Sequence, residues 1–279
     1  MYNRIFLFSL LAMAITSCCK EKEILLPPYT PPNPNSSSGS RHVLVEELTG
    51  VRCTNCPDGA RTLLSLQSAK GSDKLIIVSN HSAGVFSLPY NDSKYDFRSA
   101  EALSMSTYVG QATGFPTAAV NRVLPANAID TYVGAGQWAS LVDQQLSKPN
   151  VVNMVLDARF DSLTRRVSLS IEVVPLVDLS EEHRITVLFT QDKMVDVQLD
   201  NGVKIKDYEH RHVLRGVASS PVGDIISQPF EAGKKITLQY TYTLPDTWKE
   251  KDCSVVAFVH HGGTPNKEVL QVAEEHVVQ

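Results

Sequence analysis

The chain has 279 residues, of which 43% are hydrophobic and 20% are charged, so it carries enough apolar side chains for a folded core. That length fits two domains of ordinary size or one large domain. The formal net charge of −4 excludes the strongly basic class of nucleic-acid-binding proteins, and we expect no nucleic-acid partner.

The N-terminus carries a short apolar segment, residues 5–15, which is too short to cross a bilayer as a helix of about 20 residues. The next residues, Ile-Thr-Ser-Cys18, resemble a lipobox, in which small residues precede the cysteine that receives a lipid. We therefore predict a lipoprotein signal peptide over residues 1–17 and a palmitate-type lipid on Cys18, with no other cofactor. The alternative is an ordinary cleaved signal peptide in which Cys18 is incidental.

Residues 18–40 form the predicted anchor and tether. The second part of this segment is rich in Pro, Asn and Ser, which cannot bury a core and which favour extended polyproline II. Fully stretched, it would reach roughly 40 Å. We expect it to hold the folded part of the chain away from a membrane. The membrane, bound through the lipid anchor, is therefore one expected partner.

A strand–helix–strand unit is predicted over residues 42–80. Residues 42–48 and 74–80 are β-rich and apolar, and the segment between them opens with Cys53-Thr-Asn-Cys56-Pro. Proline and acidic residues suit the first turn of a helix. Such a unit predicts two parallel strands joined by a right-handed crossover.

The predicted secondary structure changes after residue 149, from mixed helices and strands to strands alone. Helices are predicted over 92–109 and 138–146, with a strand over 118–123 between them. From residue 150 onward, short alternating strands are separated by turn signals, which is typical of an antiparallel β-sandwich. The predicted strands there cover residues 153–160, 166–173, 184–191, 235–244, 254–259 and 269–275.

The chemistry in the sequence centres on Cys53 and Cys56, two of five cysteines. A Cys-x-x-Cys at a helix start, inside a strand–helix–strand unit, indicates a thiol–disulfide site, because the helix N-terminus stabilises a thiolate. Cys53 would attack and Cys56 would resolve the mixed disulfide. The same pair equally fits a fixed structural disulfide in an oxidising compartment. A metal site is not predicted, since zinc would need two more ligands and none lies nearby in the sequence.

Pro116 supports the first interpretation. The segment Gly-Phe-Pro116-Thr precedes a strand and resembles the cis-proline loop that packs against the Cys-x-x-Cys of thioredoxin-like proteins. Pro116 would shape a substrate groove. We therefore predict an α/β thioredoxin-like domain over residues 41–149, followed by an all-β, immunoglobulin-like antiparallel sandwich over residues 150–279. Cys253, in the second domain, is expected to be a buried free thiol.

Beyond these motifs, the chain resembles the outer-membrane protein twenty-eight family of lipoproteins from Bacteroidetes-type bacteria. The segments that carry the resemblance are residues 45–57, 114–122, 210–215, 255–259 and 268–271. The resemblance implies a lipid-anchored protein of the outer membrane, on the periplasmic or the cell-surface side. It also implies that an adhesin or receptor role, with a protein or glycan ligand, is an alternative to catalysis.

Two functions from different classes follow. The first is a membrane-tethered thiol–disulfide oxidoreductase that uses Cys53, Cys56 and Pro116. The second is a non-catalytic binding lipoprotein in which the Cys53–Cys56 disulfide is structural. An accessible Cys53 of low pKa would favour the first function, and a buried, unreactive disulfide would favour the second.

Overall fold

A computed structural model of the chain describes residues 39–82, 84–263 and 266–278. The predicted signal peptide, Cys18 and nearly all of the tether lie outside the described residues. No helix within the described ranges is both long enough and apolar enough to span a membrane.

The described part of the chain is mostly β-structure, with three α-helices and thirteen strands. The helices are α1 (Cys56–Lys70), α2 (Ala100–Val109) and α3 (Trp138–Leu146). The strands are β1 (Val43–Leu48), β2 (Leu75–Asn80), β3 (Thr117–Val120), β4 (Val152–Asp161), β5 (Arg166–Pro175), β6 (His183–Gln191), β7 (Met194–Asp200), β8 (Val203–His210), β9 (Val213–Val217), β10 (Asp224–Ile225), β11 (Ile236–Thr243), β12 (Cys253–His261) and β13 (Val269–His276).

Local signals explain where the helices begin. Pro57 and Asp58 lie in the first turn of α1, where a missing N–H costs nothing and a negative charge is favourable. Helix α2 begins only at Ala100, eight residues after the predicted start at residue 92, because the Ser99 side chain accepts a hydrogen bond from Ala102 N and caps the helix there.

Strands of both halves of the chain form one mixed sheet of eight strands, in the order β13-β12-β6-β9-β2-β1-β3, with β10 paired to β6. Strands β1 and β2 are parallel, as the strand–helix–strand pattern predicted, and β3 runs antiparallel to β1. Strand β2 also pairs in parallel with β9, from the second half. The sheet therefore continues across the boundary predicted after residue 149.

Helices cover both faces of the β1–β2 part of this sheet. Because side chains alternate along a strand, Val43 and Val45 of β1 pack toward α1 and α3, whereas Leu44 packs toward α2. All six residues of β1 and all six of β2 are buried, as expected for strands covered on both faces.

The second half adds a layer to the sheet. A three-stranded sheet, β11-β5-β4, packs its inward side chains against β6 and β12 around a large apolar core. The main side chains of this core are Met154, Leu169, Ile171, Val187, Phe189, Val255, Ala257 and Trp248. Strands β7 and β8 form a separate two-stranded hairpin.

A further apolar cluster joins the two halves. Leu44, Ile76 and Val78 of the first half pack with Val256 and Phe258 of the second. The sequence predicts a separate domain over residues 150–279, and we expect this segment to fold when it is made alone. Since removing residues 1–149 would expose this cluster and unpair β9 from β2, we expect that fragment to be less stable than the same segment in the whole chain.

Candidate functional site

The candidate site lies in the loop that joins β1 to α1, residues 49–55, here called the cysteine loop. Cys53 and Cys56 form a disulfide with a Cα–Cα distance of 5.3 Å, and Cys56 is the first residue of α1. The predicted disulfide is therefore present in the structure. Cys253 is a free, buried cysteine far along the chain, and burial raises the pKa of its thiol to about 12.

Pro116 packs against α1 one turn beyond Cys56. The Phe115–Pro116 peptide bond is cis, and the proline ring lies directly against Gly59. A Cβ atom placed on Gly59 would lie 2.8 Å from Pro116 Cβ and 3.1 Å from Glu47 Oε1. The fold thus brings together the cysteine loop, Pro116 and a carboxyl group from β1.

Replacing Gly59 with alanine should destabilise the protein. The added methyl group collides with a rigid proline ring, and such overpacking costs about 1–3 kcal/mol, more than the gain of up to about 1 kcal/mol in helix propensity. Chemical denaturation measures the difference. Gly136→Ala is the matched control, because a Cβ atom there meets no heavy atom within 4 Å. A Gly59→Ala protein as stable as the Gly136→Ala protein would contradict this packing.

Glu47 is a buried acidic group at the site. Its side chain is buried on the α1 face of β1, and its Oε2 accepts a hydrogen bond of 3.1 Å from Ser79 Oγ. Its Oε1 has no hydrogen-bond partner. Burial raises the pKa of Glu47 to about 8, and the Ser79 hydrogen bond offsets only part of that increase. At neutral pH the carboxyl group is therefore mostly protonated.

A small cavity of about 30 Å³ connects Glu47 to the disulfide. Glu47, Cys56, His81, Tyr208 and His210 all line it. Burial lowers the pKa of His81 to about 3, assisted by the neighbouring imidazole, and lowers that of His210 to about 4. Both imidazoles are therefore neutral at pH 7. The cavity is large enough for a water molecule.

These histidines do not make a metal centre. Within residues 39–82, 84–263 and 266–278, no group of three His, Cys, Asp or Glu side chains is arranged to hold a metal ion. The cavity beside Cys56 is therefore lined by neutral imidazoles, by the Glu47 carboxyl group and, in addition, by Arg211.

The β7–β8 hairpin covers the cysteine loop. Asn201 N donates a hydrogen bond of 2.9 Å to Thr54 O, and Gln198 Nε2 donates one of 3.1 Å to Cys53 O. The hairpin is also fixed to α1, because Arg61 Nη1 lies 3.0 Å from Asp200 Oδ2. Under this cover Cys53 is 3% exposed and Cys56 is 2% exposed.

Weakening this cover should speed the reduction of the disulfide. Gln198→Ala removes two side-chain hydrogen bonds to the loop, to Gly50 O and Cys53 O. Each is worth about 1 kcal/mol, so we expect an increase of about 5- to 30-fold in the rate of reduction by dithiothreitol. Timed thiol labelling measures that rate. Gln144→Ala, on the exposed face of α3, is the matched control. Equal rates for Gln198→Ala and the unmodified protein would mean that the reductant reaches the disulfide without moving the hairpin.

Sequence reasoning placed Cys53, Cys56 and Pro116 but missed Glu47 and the hairpin. A signal for Glu47 was present, because the adjacent pair Glu46-Glu47 interrupts an otherwise apolar strand. No local signal pointed to Gln198, which lies far away in the sequence and reaches the loop only through the tertiary fold.

The fold and the site define the structural class of the protein. It is mostly β, its largest sheet is mixed, and a disulfide at the start of a helix lies under the β7–β8 hairpin. A family model described as outer membrane protein Omp28 matches residues 104–279, and the chain belongs to this family. The resemblance found in the sequence is confirmed, and the protein's location is the outer membrane. The matched segment begins beyond Cys56, so family membership does not assign a role to the cysteine pair.

Comparison with solved structures supports the fold alone. HBP35 of Porphyromonas gingivalis is similar, with a TM-score of 0.68 and 17% sequence identity, over 86% of this chain and 76% of that one. A domain of the outer membrane lipoprotein Omp28 from Porphyromonas gingivalis has 21% identity and a TM-score of 0.32, over 46% of this chain and 88% of that one. Among curated proteins, no sequence matches the chain.

Proposed function

We propose that this Omp28-family protein is held at the outer membrane by a lipid on Cys18 and carries out thiol–disulfide exchange at Cys53–Cys56. Residues 41–149 would form a thioredoxin-like unit and residues 150–279 a β-sandwich. The observation that carries the proposal is Glu47. A buried carboxyl group with a raised pKa, beside the cavity that Cys56 lines, is typical of a proton-transfer site.

The arrangement of elements supports the thioredoxin-like unit. Strand β1 lies between β2 and β3, α1 crosses over from β1 to β2, and the disulfide lies at the start of α1. Pro116 comes directly before the antiparallel strand β3. These positions match the thioredoxin-like arrangement predicted from the sequence, which supports an exchange site at the disulfide.

In the proposed exchange, a substrate thiolate attacks Cys53 Sγ and the Cys53–Cys56 bond breaks. Cys56 leaves as a thiolate and takes the proton of the Glu47 carboxyl group. A second substrate thiolate then attacks the substrate sulfur of the mixed disulfide and releases Cys53. Two electrons pass from the substrate dithiol to the cysteine pair, and the substrate leaves as a disulfide.

One observation favours a second function. The low exposure of both cysteines is what a structural disulfide would have, in a non-catalytic lipoprotein whose β-sandwich binds a protein or glycan ligand. Burying the Glu47 carboxyl group costs free energy when it ionises. A structural disulfide would give no reason for that cost, whereas exchange gives Glu47 a role in proton transfer. We therefore place exchange first, with access limited by the hairpin.

The reduction potential of the cysteine pair decides between the two functions. Equilibration with glutathione buffers, followed by thiol labelling, should give a value of roughly −120 to −270 mV, the range of known oxidoreductases. A value well below about −300 mV would identify an inert structural bond and would favour the binding function. Cys253→Ala should behave like the unmodified protein, because Cys253 is buried and unpaired.

The anchor has a separate test. Cys18→Ala should yield a protein that lacks the lipid mass and leaves the membrane fraction, because the cysteine of the lipobox is the acceptor. Mass spectrometry and membrane fractionation measure both effects. Cys19→Ala is the control and should stay lipidated. Unchanged mass and membrane retention of the Cys18→Ala protein would contradict the anchor.

A further inference from the structure

Strand β11 has an open edge. It pairs along its whole length with β5, from Ile236 opposite Val173 to Thr243 opposite Arg166. On its other side, no strand of the described part of the chain pairs with it. Its main-chain groups on that side are therefore available to another strand.

Other long strands at sheet edges are covered or charged. Strand β4 lies against β13, where Ala158 N donates a hydrogen bond of 3.1 Å to Glu275 Oε2. Strand β3 exchanges main-chain hydrogen bonds of 3.0 Å with Val133. Strand β8 carries charged side chains at Lys204 and Lys206. Natural proteins use such devices to prevent strand pairing between molecules.

Strand β11 lacks these devices. Its outward side chains are uncharged and exposed, and they are Thr237, Gln239, Thr241 and Thr243. Its inward side chains Leu238, Tyr240 and Tyr242 are only partly buried, so a neighbouring strand would remove more apolar surface from water. Threonine and tyrosine favour strands, and β11 contains no proline or glycine.

We infer that β11 pairs antiparallel with β11 of a second copy of this chain, around a two-fold axis near Tyr240. The two three-stranded sheets would then join into one six-stranded sheet. An antiparallel pair of identical strands is closed under two-fold symmetry, so the interface forms a dimer and not a chain of molecules.

Charge complementarity favours a second copy over an unrelated partner. Lys234 comes just before β11 and Asp246 just after it. They lie near Glu231 and Arg165 of their own chain, and their side chains are still 64% and 96% exposed. In the proposed register each Lys234 lies opposite the second copy's Asp246. No like charges face each other along the strand, because the outward side chains are neutral.

The same register gives a sharp test, because Gln239 of one copy faces Thr241 of the other. Gln239→Lys with Thr241→Lys places lysine opposite lysine at both symmetric positions. Gln239→Lys with Thr241→Glu places opposite charges there instead. Both substituted positions are exposed in the monomer, so each double variant should fold normally, and thermal unfolding checks this before the comparison.

Sedimentation equilibrium of the full mature chain, in density-matched detergent, measures association. A single strand pair buries a small interface, so we expect a dimer with a dissociation constant in the micromolar range. The lysine–lysine variant should dimerise at least tenfold more weakly than the lysine–glutamate variant. An unmodified protein that stays monomeric up to roughly 100 μM would overturn the inference, as would equal dissociation constants for the two variants.

Discussion

Replacing Arg122 with methionine should lower the free energy of unfolding by about 3–5 kcal/mol, the typical cost of removing one partner from a buried ion pair. Arg122 follows β3 and holds Glu46 of β1 through two hydrogen bonds, of 2.7 Å from Nε and 2.8 Å from Nη2. Their side chains are 0% and 3% exposed. Without Arg122, the Glu46 carboxylate would be buried and unpaired. Urea denaturation measures the loss.

A double variant separates the unpaired charge from the lost packing around it. The Arg122 guanidinium also lies over the Phe258 ring, at 4.7 Å from its centroid, so methionine removes that contact as well. Arg122→Met with Glu46→Leu should be more stable than Arg122→Met alone, because no charge is left unpaired. Arg159→Met, at an 81% exposed arginine, is the control and should change stability by less than about 0.5 kcal/mol. A loss in Arg122→Met no larger than in this control would contradict the prediction.

Replacing Glu47 with glutamine should remove a large pH dependence of stability. Because burial raises the pKa of Glu47 to about 8, the folded state binds more protons than the unfolded state between about pH 4.5 and 8. The stability that the protonated carboxyl group contributes is therefore complete below its unfolded pKa and is lost as pH rises to about 8. Between pH 5 and 8 the unmodified protein should lose about 3–4 kcal/mol through this group.

Urea denaturation at several pH values tests this directly. The stability of Glu47→Gln should exceed that of the unmodified protein by an amount that grows as pH rises from 5 to 8. Gln144→Ala, at an exposed side chain that does not titrate, is the control and should leave the pH profile unchanged. Parallel profiles for Glu47→Gln and the unmodified protein would show that the carboxyl group is not held protonated by burial.

The same variant probes the proposed exchange. Glutamine cannot give a proton to the leaving Cys56 thiolate, so the exchange rate at neutral pH should fall at least tenfold. The stability effect does not depend on exchange, because burial alone causes it. If Glu47→Gln changes the pH profile of stability but not the exchange rate, the raised pKa of Glu47 is supported and its role in exchange is rejected.

The amino-acid sequence by itself determined the local features. The cysteine spacing, Pro57 and the apolar periodicity predicted a helix that opens within residues 53–57, and α1 begins there at Cys56. Apolar runs located β1 and β2 on either side of it. Family membership followed from residues scattered along the chain. These features depend on adjacent residues or on the periodic spacing of apolar residues, and both can be read from a single sequence.

Only the tertiary structure decided which distant segments meet. Strand β9 pairs with β2 and the β7–β8 hairpin covers the cysteine loop, although more than 100 residues separate each pair of segments in the sequence. The pKa of Glu47 has the same origin, since its value follows from burial and not from residue type. Strand pairing and desolvation are properties of the packed chain, and the local pattern of a strand does not specify its partner.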